Sequence, residues 1–338
     1  MRVLVTGGAG YIGSHTTLAL IQAGHEPIVV DDLSNSSKEA ISRVQKLAGT
    51  EIEFHKFNIC DEERLGKLLS NSPVDAVIHF AGYKAVGESV AFPLKYFQNN
   101  IDSTISLLKC IGANDQPNPP KFIFSSSATV YGEQFNMPIS EHAQSGIGIT
   151  NPYGQTKYFC EEILKSTSIA NSGFQSIALR YFNPIGAHES GQIGEDPSGI
   201  PNNLAPFITQ VASGKLRKLS IFGNDYPTSD GTGIRDYIHV MDLAAGHVAA
   251  LDYREPGFHV FNLGTGRGTS VLELINAFET NIGKKIPFEF SPRRPGDIAE
   301  CYADAALANE ELKWEAKLSI NQACRDSWNW QQQNPEGY

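Results

Sequence analysis

Tyr153 and Lys157 stand four residues apart in the run Asn-Pro-Tyr-Gly-Gln-Thr-Lys that begins at Asn151. Asparagine is a good helix N-cap and proline a good first helical residue, so Asn151 and Pro152 predict a helix start. The tyrosine and lysine then share one helix face. A free tyrosine, with a pKa of about 10, is a poor base at neutral pH. A nearby ammonium favours the phenolate and makes proton abstraction feasible. Alone, the pair reads equally as a surface tyrosine and a solvated lysine. Ser125, Ser126 and Ser127 change the balance. They end an apolar run that starts at Lys121, and a hydroxyl at a strand end, Ser127 here, can bridge tyrosine and substrate.

The other chemistry-bearing stretch opens the chain. Val3, Leu4 and Val5 run into a turn with Gly7, Gly8, Gly10 and Gly13, followed by an amphipathic helix through Leu18, Leu20 and Ile21. Glycine there permits a tight turn, close backbone approach to a pyrophosphate and close helix–strand packing. The helix N-terminus presents unpaired N–H groups and a positive dipole to phosphate. The next apolar run, Ile28 to Val30, ends in Asp31 and Asp32. A carboxylate at that strand end accepts hydrogen bonds from the adenosine ribose and repels a 2′-phosphate, so NAD is expected rather than NADP.

Strands and helices alternate around these two stretches. Residues 38–47 and 62–69 read as helices, 52–59 as a third strand, 76–82 as a doubly buried strand and 93–111 as a long helix. The regular alternation predicts an α/β fold, a doubly wound parallel sheet with ligand across the carboxyl ends of its strands. Asn58 then falls near the adenine end, and His79, inside an apolar run, reads as a core histidine. Beyond about residue 183 the rhythm loosens. Residues 186–203 and 224–233 are rich in Gly, Pro, Asn and Ser and read as binding loops. Helices are expected at 203–213, 270–280 and 320–332, with strands at 259–263 and 286–290. The expected division is a Rossmann-like NAD-binding domain over 1–184, with 234–262 returning to it, and a smaller α+β C-terminal lobe over 185–338.

The chain has 338 residues, 41% of them hydrophobic, and a formal charge of −10, which argues against nucleic acid or an anionic membrane as partner. Five scattered cysteines without a C-x-x-C argue for a reducing, cytoplasmic setting and against a disulfide or metal framework. No apolar run approaches a membrane span or a signal peptide.

With Ser127, Tyr153 and Lys157 on a glycine-turn dinucleotide fold, the sequence resembles the extended branch of the short-chain dehydrogenase/reductase superfamily. The stretches 6–15, 79–89, 125–132, 180–187, 199–204, 221–228 and 233–242 extend the resemblance over almost the whole chain. Together they are similar to the 4-epimerases of UDP-galactose and UDP-glucose. That resemblance implies inversion at sugar C4 through a transient 4-keto sugar and tightly held NAD. Tyr153 would move the 4-hydroxyl proton, Ser127 would hold the reacting oxygen, and Lys157 would also meet the nicotinamide ribose. It implies NAD contacts at Gly7, Gly10, Tyr11, Ile12, Gly13, Asp31, Asn35, Asn58, Ile59, Phe80, Ala81, Lys84, Asn99, Tyr153, Lys157 and Phe182. UDP-sugar contacts would come from Lys84, Ser127, Tyr153, Asn183, Asn203, Leu204, Phe222, Arg235, Tyr237, Arg294, Asp297 and Cys301. Arg235 and Arg294 supply the local cations that an acidic chain needs for a diphosphate. Family dimers pair two long helices per subunit, so a homodimer through 93–111 and 158–169 is expected.

Two positions depart from relatives. Asn58 replaces an Asp that meets the adenine amino group, and its amide oxygen can still accept that bond. Cys301 stands where some relatives carry a bulky Tyr beside the sugar. The added volume points to turnover of UDP-N-acetylglucosamine and UDP-N-acetylgalactosamine as well. The rival readings are a nucleotide-sugar dehydratase or decarboxylase, a dehydrogenase that consumes NAD, and a non-catalytic NAD sensor. A dehydratase needs an acidic pair where Ala128 and Thr129 stand. A sensor would have no use for Tyr153 and Lys157.

Overall fold

Seven parallel strands carry the site in the computed structural model of the protein, which describes every residue except Phe135 and Pro295. They are β1 (Arg2–Thr6), β2 (Glu26–Asp31), β3 (Glu53–Lys56), β4 (Ala76–His79), β5 (Lys121–Ser127), β6 (Gln175–Tyr181) and a strand at Gly257–Leu263. Their order across the sheet is β3-β2-β1-β4-β5-β6, with Gly257–Leu263 beside β6. The order reverses between β1 and β4, which opens a crevice outside the carboxyl ends of the strands. The glycine turn follows β1, Ser127 ends β5, and Phe182 follows β6, so all three stand at that edge.

Helices cover both faces, which is why the strands read as continuous apolar runs. Val3, Val5, Val29 and Ile78 point into one core, while Leu4, Ile28, Val30 and Val77 point into the other. The covering helices include α1 (Tyr11–Gln22), α2 (Lys38–Ala48), α3 (Glu62–Asn71), α4 (Val86–Ala91), α5 (Pro93–Cys110) and α6 (Pro152–Ala170). A third core gathers Ile208, Leu274, Phe278 and Cys324 from the helices Leu204–Ser213, Val271–Ile282 and Ile320–Gln333. Above the sheet edge, Asn183–Ile185 pairs with Tyr237–His239, and Ile234–Arg235 lies between Thr269–Ser270 and Glu300–Cys301.

Some elements differ from the sequence reading. The strands expected at 52–59 and 76–82 stop at Lys56 and His79, because the chain turns out over the edge there. That puts Asn58, Phe80 and Ala81 in loops. The helix Val240–Asp252 gave no amphipathic signal because its outer side, at Met241, Ala245, Val248 and Ala249, is as apolar as its buried side. Ser176 and Arg180, both buried, broke the apolar run of β6. His79 is a core histidine: Nδ1 lies 2.7 Å from Thr6 Oγ1, and burial lowers its pKa to about 3.

Candidate active site

The start of α6 forms as its sequence dictates. Asn151 Oδ1 accepts the Gly154 N–H at 2.8 Å, and Pro152 is the first helical residue. One turn on, Lys157 is buried. Its Nζ donates to the Ser125 carbonyl at 2.6 Å and lies 4.8 Å from the Phe124 ring centroid and 5.9 Å from that of Tyr153. Ser127 Oγ accepts from both the N–H and the hydroxyl of Thr129, at 3.3 and 3.0 Å. Its own O–H is therefore directed elsewhere.

The electrostatics differ from the simple expectation that Lys157 lowers the Tyr153 pKa. Burial pushes Tyr153 up, and the opposing group is the Ser127 hydroxyl. Burial also brings Lys157 down to about 8, against Cys160 and Glu161, which raise it. Lys157 spends its shortest bond on the end of β5, so it anchors the serine-bearing strand as well as facing the tyrosine.

The glycine turn fits a dinucleotide phosphate. Gly7 has φ +68°, and a Cβ on it would lie 2.8 Å from Ala81 N. Gly10 caps α1 without a side-chain hydrogen bond, leaving first-turn N–H groups for an anion. Asp31 is buried at the end of β2. It accepts from Ala9 N at 3.0 Å, Leu33 N at 2.9 Å and Ser36 Oγ at 2.7 Å, so it also holds the turn in shape. Asn35 is exposed and Ile59 buried close by. Asn58 offers less than expected: its Oδ1 caps Cys60 N at 2.9 Å and its Nδ2 donates to Asp32 at 3.2 Å. Phe80 packs on His247 at 4.8 Å, while Ile12 packs against the first core. Phe182 is buried in a fourth core with Ala128, Tyr131 and Ala303.

On the opposite side, among the described residues, Arg235 bonds only to backbone carbonyls, those of Ile234 and Ile298 at 2.8 and 2.9 Å and, more weakly, Ala299. Among the described residues it has no carboxylate partner within 4.0 Å, which suits an incoming phosphate. Arg294 is different. It pairs with Asp297 at 2.8 Å and lies 4.9 Å over the Phe222 ring, so three expected substrate contacts form one cluster. Cys301 is the register partner of Arg235 and packs against the fourth core beside Phe182. Burial raises its thiol to about 11, which makes it a packing group rather than a nucleophile. Tyr237 is buried and pushed up to about 12, and Asn183 N donates to Asp236 O.

Sequence reading missed three residues that tie the site together. Asn100 exchanges two bonds with the Tyr83 backbone, at 2.8 and 3.0 Å, and donates to Thr156 Oγ1 at 3.0 Å, locking the loop after β4 to α6. Its neighbour Asn99 donates to it at 3.1 Å. Glu195, from the 186–203 loop, accepts from Lys84 Nζ at 3.1 Å and from Asn203 Nδ2 at 2.7 Å. Tyr11 OH donates to Gly186 O at 2.7 Å, another link from α1 to the same loop. Leu204 opens the helix after Asn203 and packs on the third core. Thr129 is the third, through its two bonds to Ser127. The side-by-side Asn99-Asn100 and the loop composition were the only sequence signals.

A glycine turn, a reversing parallel sheet and a serine–tyrosine–lysine group at one strand edge define a member of the extended short-chain dehydrogenase/reductases. The GDP-mannose 4,6 dehydratase family profile matches residues 4–327. A Bacillus subtilis UDP-glucose 4-epimerase is 54% identical over 340 residues, covering 100% of this chain and 99% of that protein. The crystal structure of UDP-glucose 4-epimerase from Bifidobacterium longum in complex with NAD+ and UDP superposes with a TM-score of 0.95 at 50% identity, covering all of both chains. A Stenotrophomonas maltophila UDP-glucose 4-epimerase with bound NAD and formylated UDP-arabinopyranose gives 0.95 at 47%, covering 99% of each. This chain belongs to the UDP-glucose 4-epimerase family. Ala128 and Thr129 carry no acid, in keeping with that branch rather than with a dehydratase. No helix among the described residues is long and apolar enough to cross a membrane.

Proposed function

We propose that the protein interconverts UDP-galactose and UDP-glucose by inverting sugar C4 with NAD as resident cofactor. The observation that carries this is the meeting of Ser127, Tyr153 and Lys157 at the carboxyl edge beside the glycine turn, on a chain matching epimerases end to end. When bound, NAD supplies a two-electron acceptor for C4 and a positive charge that favours the Tyr153 phenolate. The first turn of α1 and Asp31 would hold it, with Phe80, Lys84, Asn99 and Phe182 along its length. Tyr153 takes the proton of the 4-hydroxyl and later returns it. Ser127, its hydroxyl aimed by Thr129, donates to the reacting oxygen. Lys157 keeps a positive charge beside the tyrosine while anchoring β5. Arg235 and Arg294 bind the diphosphate end, with Asp297 holding Arg294 in place. A planar 4-keto carbon can be reduced on either face, so inversion requires only that the sugar turn while the diphosphate stays held. The test is conversion of UDP-galactose to UDP-glucose without added NAD. No conversion, with or without NAD, overturns the reading.

Two predictions belong to the substrate side. Arg235→Met removes a guanidinium whose partners are neutral carbonyls. KM for UDP-galactose should rise about tenfold to a hundredfold, the worth of a charge-assisted contact, with kcat much less changed. Cys301→Tyr should abolish most turnover of UDP-N-acetylgalactosamine while sparing UDP-galactose, because the larger ring fills the volume beside Phe182. An equal effect on both sugars would show that Cys301 does not gate the N-acetyl group.

The proposed division is a NAD domain of residues 1–184 with 234–262, and a UDP-sugar lobe over the rest of 185–338. The pairing of Gly257–Leu263 with β6 supports the return of the chain. We also propose a homodimer through α5 and α6, on which Leu94, Phe159 and Ile169 are 80%, 44% and 77% exposed. Sedimentation of the purified protein tests it. Five free cysteines support a reducing, cytoplasmic location.

A further inference from the structure

Behind the three candidate catalytic residues lies a buried ion pair that the mechanism above does not use. The side chains of Glu161, on α6, and Arg180, on β6, are 2% and 5% exposed. Two parallel bonds join them, Nε to Oε1 at 2.9 Å and Nη2 to Oε2 at 2.5 Å. The Ser126 hydroxyl donates to the same Oε1. The guanidinium lies 4.6 Å from the Tyr131 ring centroid, and the Tyr131 hydroxyl donates to Asn262 at 2.7 Å. One connected set thus joins α6, β5, β6, the 3-10 turn Ala128–Tyr131 and the strand Gly257–Leu263.

Stability alone does not account for such a pair. Burying two charges costs about what their attraction returns, and an apolar pair of similar volume is often as stable. What a two-bond guanidinium–carboxylate pair adds is geometry, since it permits one relative placement of its two elements. The placement matters here. Glu161 follows Lys157 by one helical turn and Tyr153 by two, while Ser126 immediately precedes Ser127.

We propose that Glu161 and Arg180 are positioning residues that fix α6 against the ends of β5 and β6, so that Tyr153 and Lys157 meet Ser127. The proposal rests on the roles assigned to those three residues. Lys157 adds an electrostatic side. The titratable and charged groups around it are Tyr153, Cys160 and Glu161 on α6, His79 on β4, and Arg180 on β6, reached through Glu161. β5 contributes the Ser125 carbonyl, and α5 contributes the neutral Asn100 and Thr104 by way of Cys160. Glu161 is the carboxylate that supports the ammonium against burial.

The experiment uses the full chain and UDP-galactose. Wild type is measured first, and an inactive wild type refutes the site reading rather than the pair. Glu161→Leu with Arg180→Met replaces the pair by apolar groups. We expect a folded protein with Tm near wild type, kcat lowered about tenfold to a hundredfold by misplacement, and KM changed less than about threefold. A folded double variant with wild-type kcat overturns the proposal. If the double variant does not fold, Arg180→Lys decides, because it keeps the charge and loses the two-bond geometry. A fall in kcat of about threefold or more at constant KM supports positioning, and unchanged kcat overturns it. In Glu161→Gln the pH at which kcat stops rising should move down, and no movement overturns the electrostatic side.

Discussion

Tyr153→Phe should lower kcat for UDP-galactose by about a thousandfold while leaving the fold and ligand binding intact. The change deletes one oxygen, and a positioned proton-transfer group is worth about a hundredfold to ten-thousandfold. Ring packing is retained, so Tm should barely move. Cofactor content, read by releasing and assaying NAD, should match wild type. Activity above a tenth of wild type would remove Tyr153 from its proposed role. The pH profile should follow from the same environment. Burial raises Tyr153, so the phenolate is scarce and activity should fall as pH drops. Lys157 lies near 8, below the raised Tyr153, so above that pH each gain in phenolate is offset by lost ammonium and the rise in activity should level off. A rise that levels off above about pH 8 is expected, and an activity that kept rising well above pH 8 would show that the lysine charge is dispensable.

Much of this arrangement was legible in the sequence because local chemistry carried it. The glycines after β1, the Asn-Pro helix start before Tyr153 and the serine run at the end of β5 each require their conformation from their own residue types. What was not legible depends on partners distant in sequence. Asn100 gave no sign that its amide would pair with the backbone of Tyr83 and reach Thr156. Glu195 looked like any loop acid until Lys84 and Asn203 closed on it. Arg180 counted only as the start of the stretch 180–187, because nothing near it in sequence announces that Glu161 neutralises it. The helix Val240–Asp252 was invisible for a different reason: its outer side, at Met241, Ala245, Val248 and Ala249, is as apolar as its buried side, so periodicity had no contrast to report. Lys157 was identified correctly as a helix-face neighbour of Tyr153. The carbonyl it seeks, on Ser125, was beyond any spacing argument.

Gly13→Ala should have the largest effect of any single methyl group added to this chain's glycine turn. A Cβ at residue 13 would stand 2.3 Å from Gly7 O and 2.7 Å from Gly8 Cα. Both are backbone atoms, so no flexible side chain can yield, and the turn itself must open. Overpacking of this kind costs up to about 3 kcal/mol. The turn that opens is also the one that presents α1 to a pyrophosphate, so bound NAD should be lost along with Tm. Gly10 differs within the same motif. A Cβ there meets only Gly7 O, at 3.3 Å, and its φ of −75° suits any residue. Gly10→Ala should therefore weaken NAD retention less and leave Tm closer to wild type. Gly66, inside α3 with nothing within 4 Å, is the control. Gly66→Ala should be neutral or add up to about 1 kcal/mol through helix propensity. The ranking to measure, by Tm and by NAD released from purified protein, is Gly66→Ala at or above wild type, then Gly10→Ala, then Gly13→Ala. Full NAD content in Gly13→Ala would show that the turn does not grip the cofactor through close backbone approach.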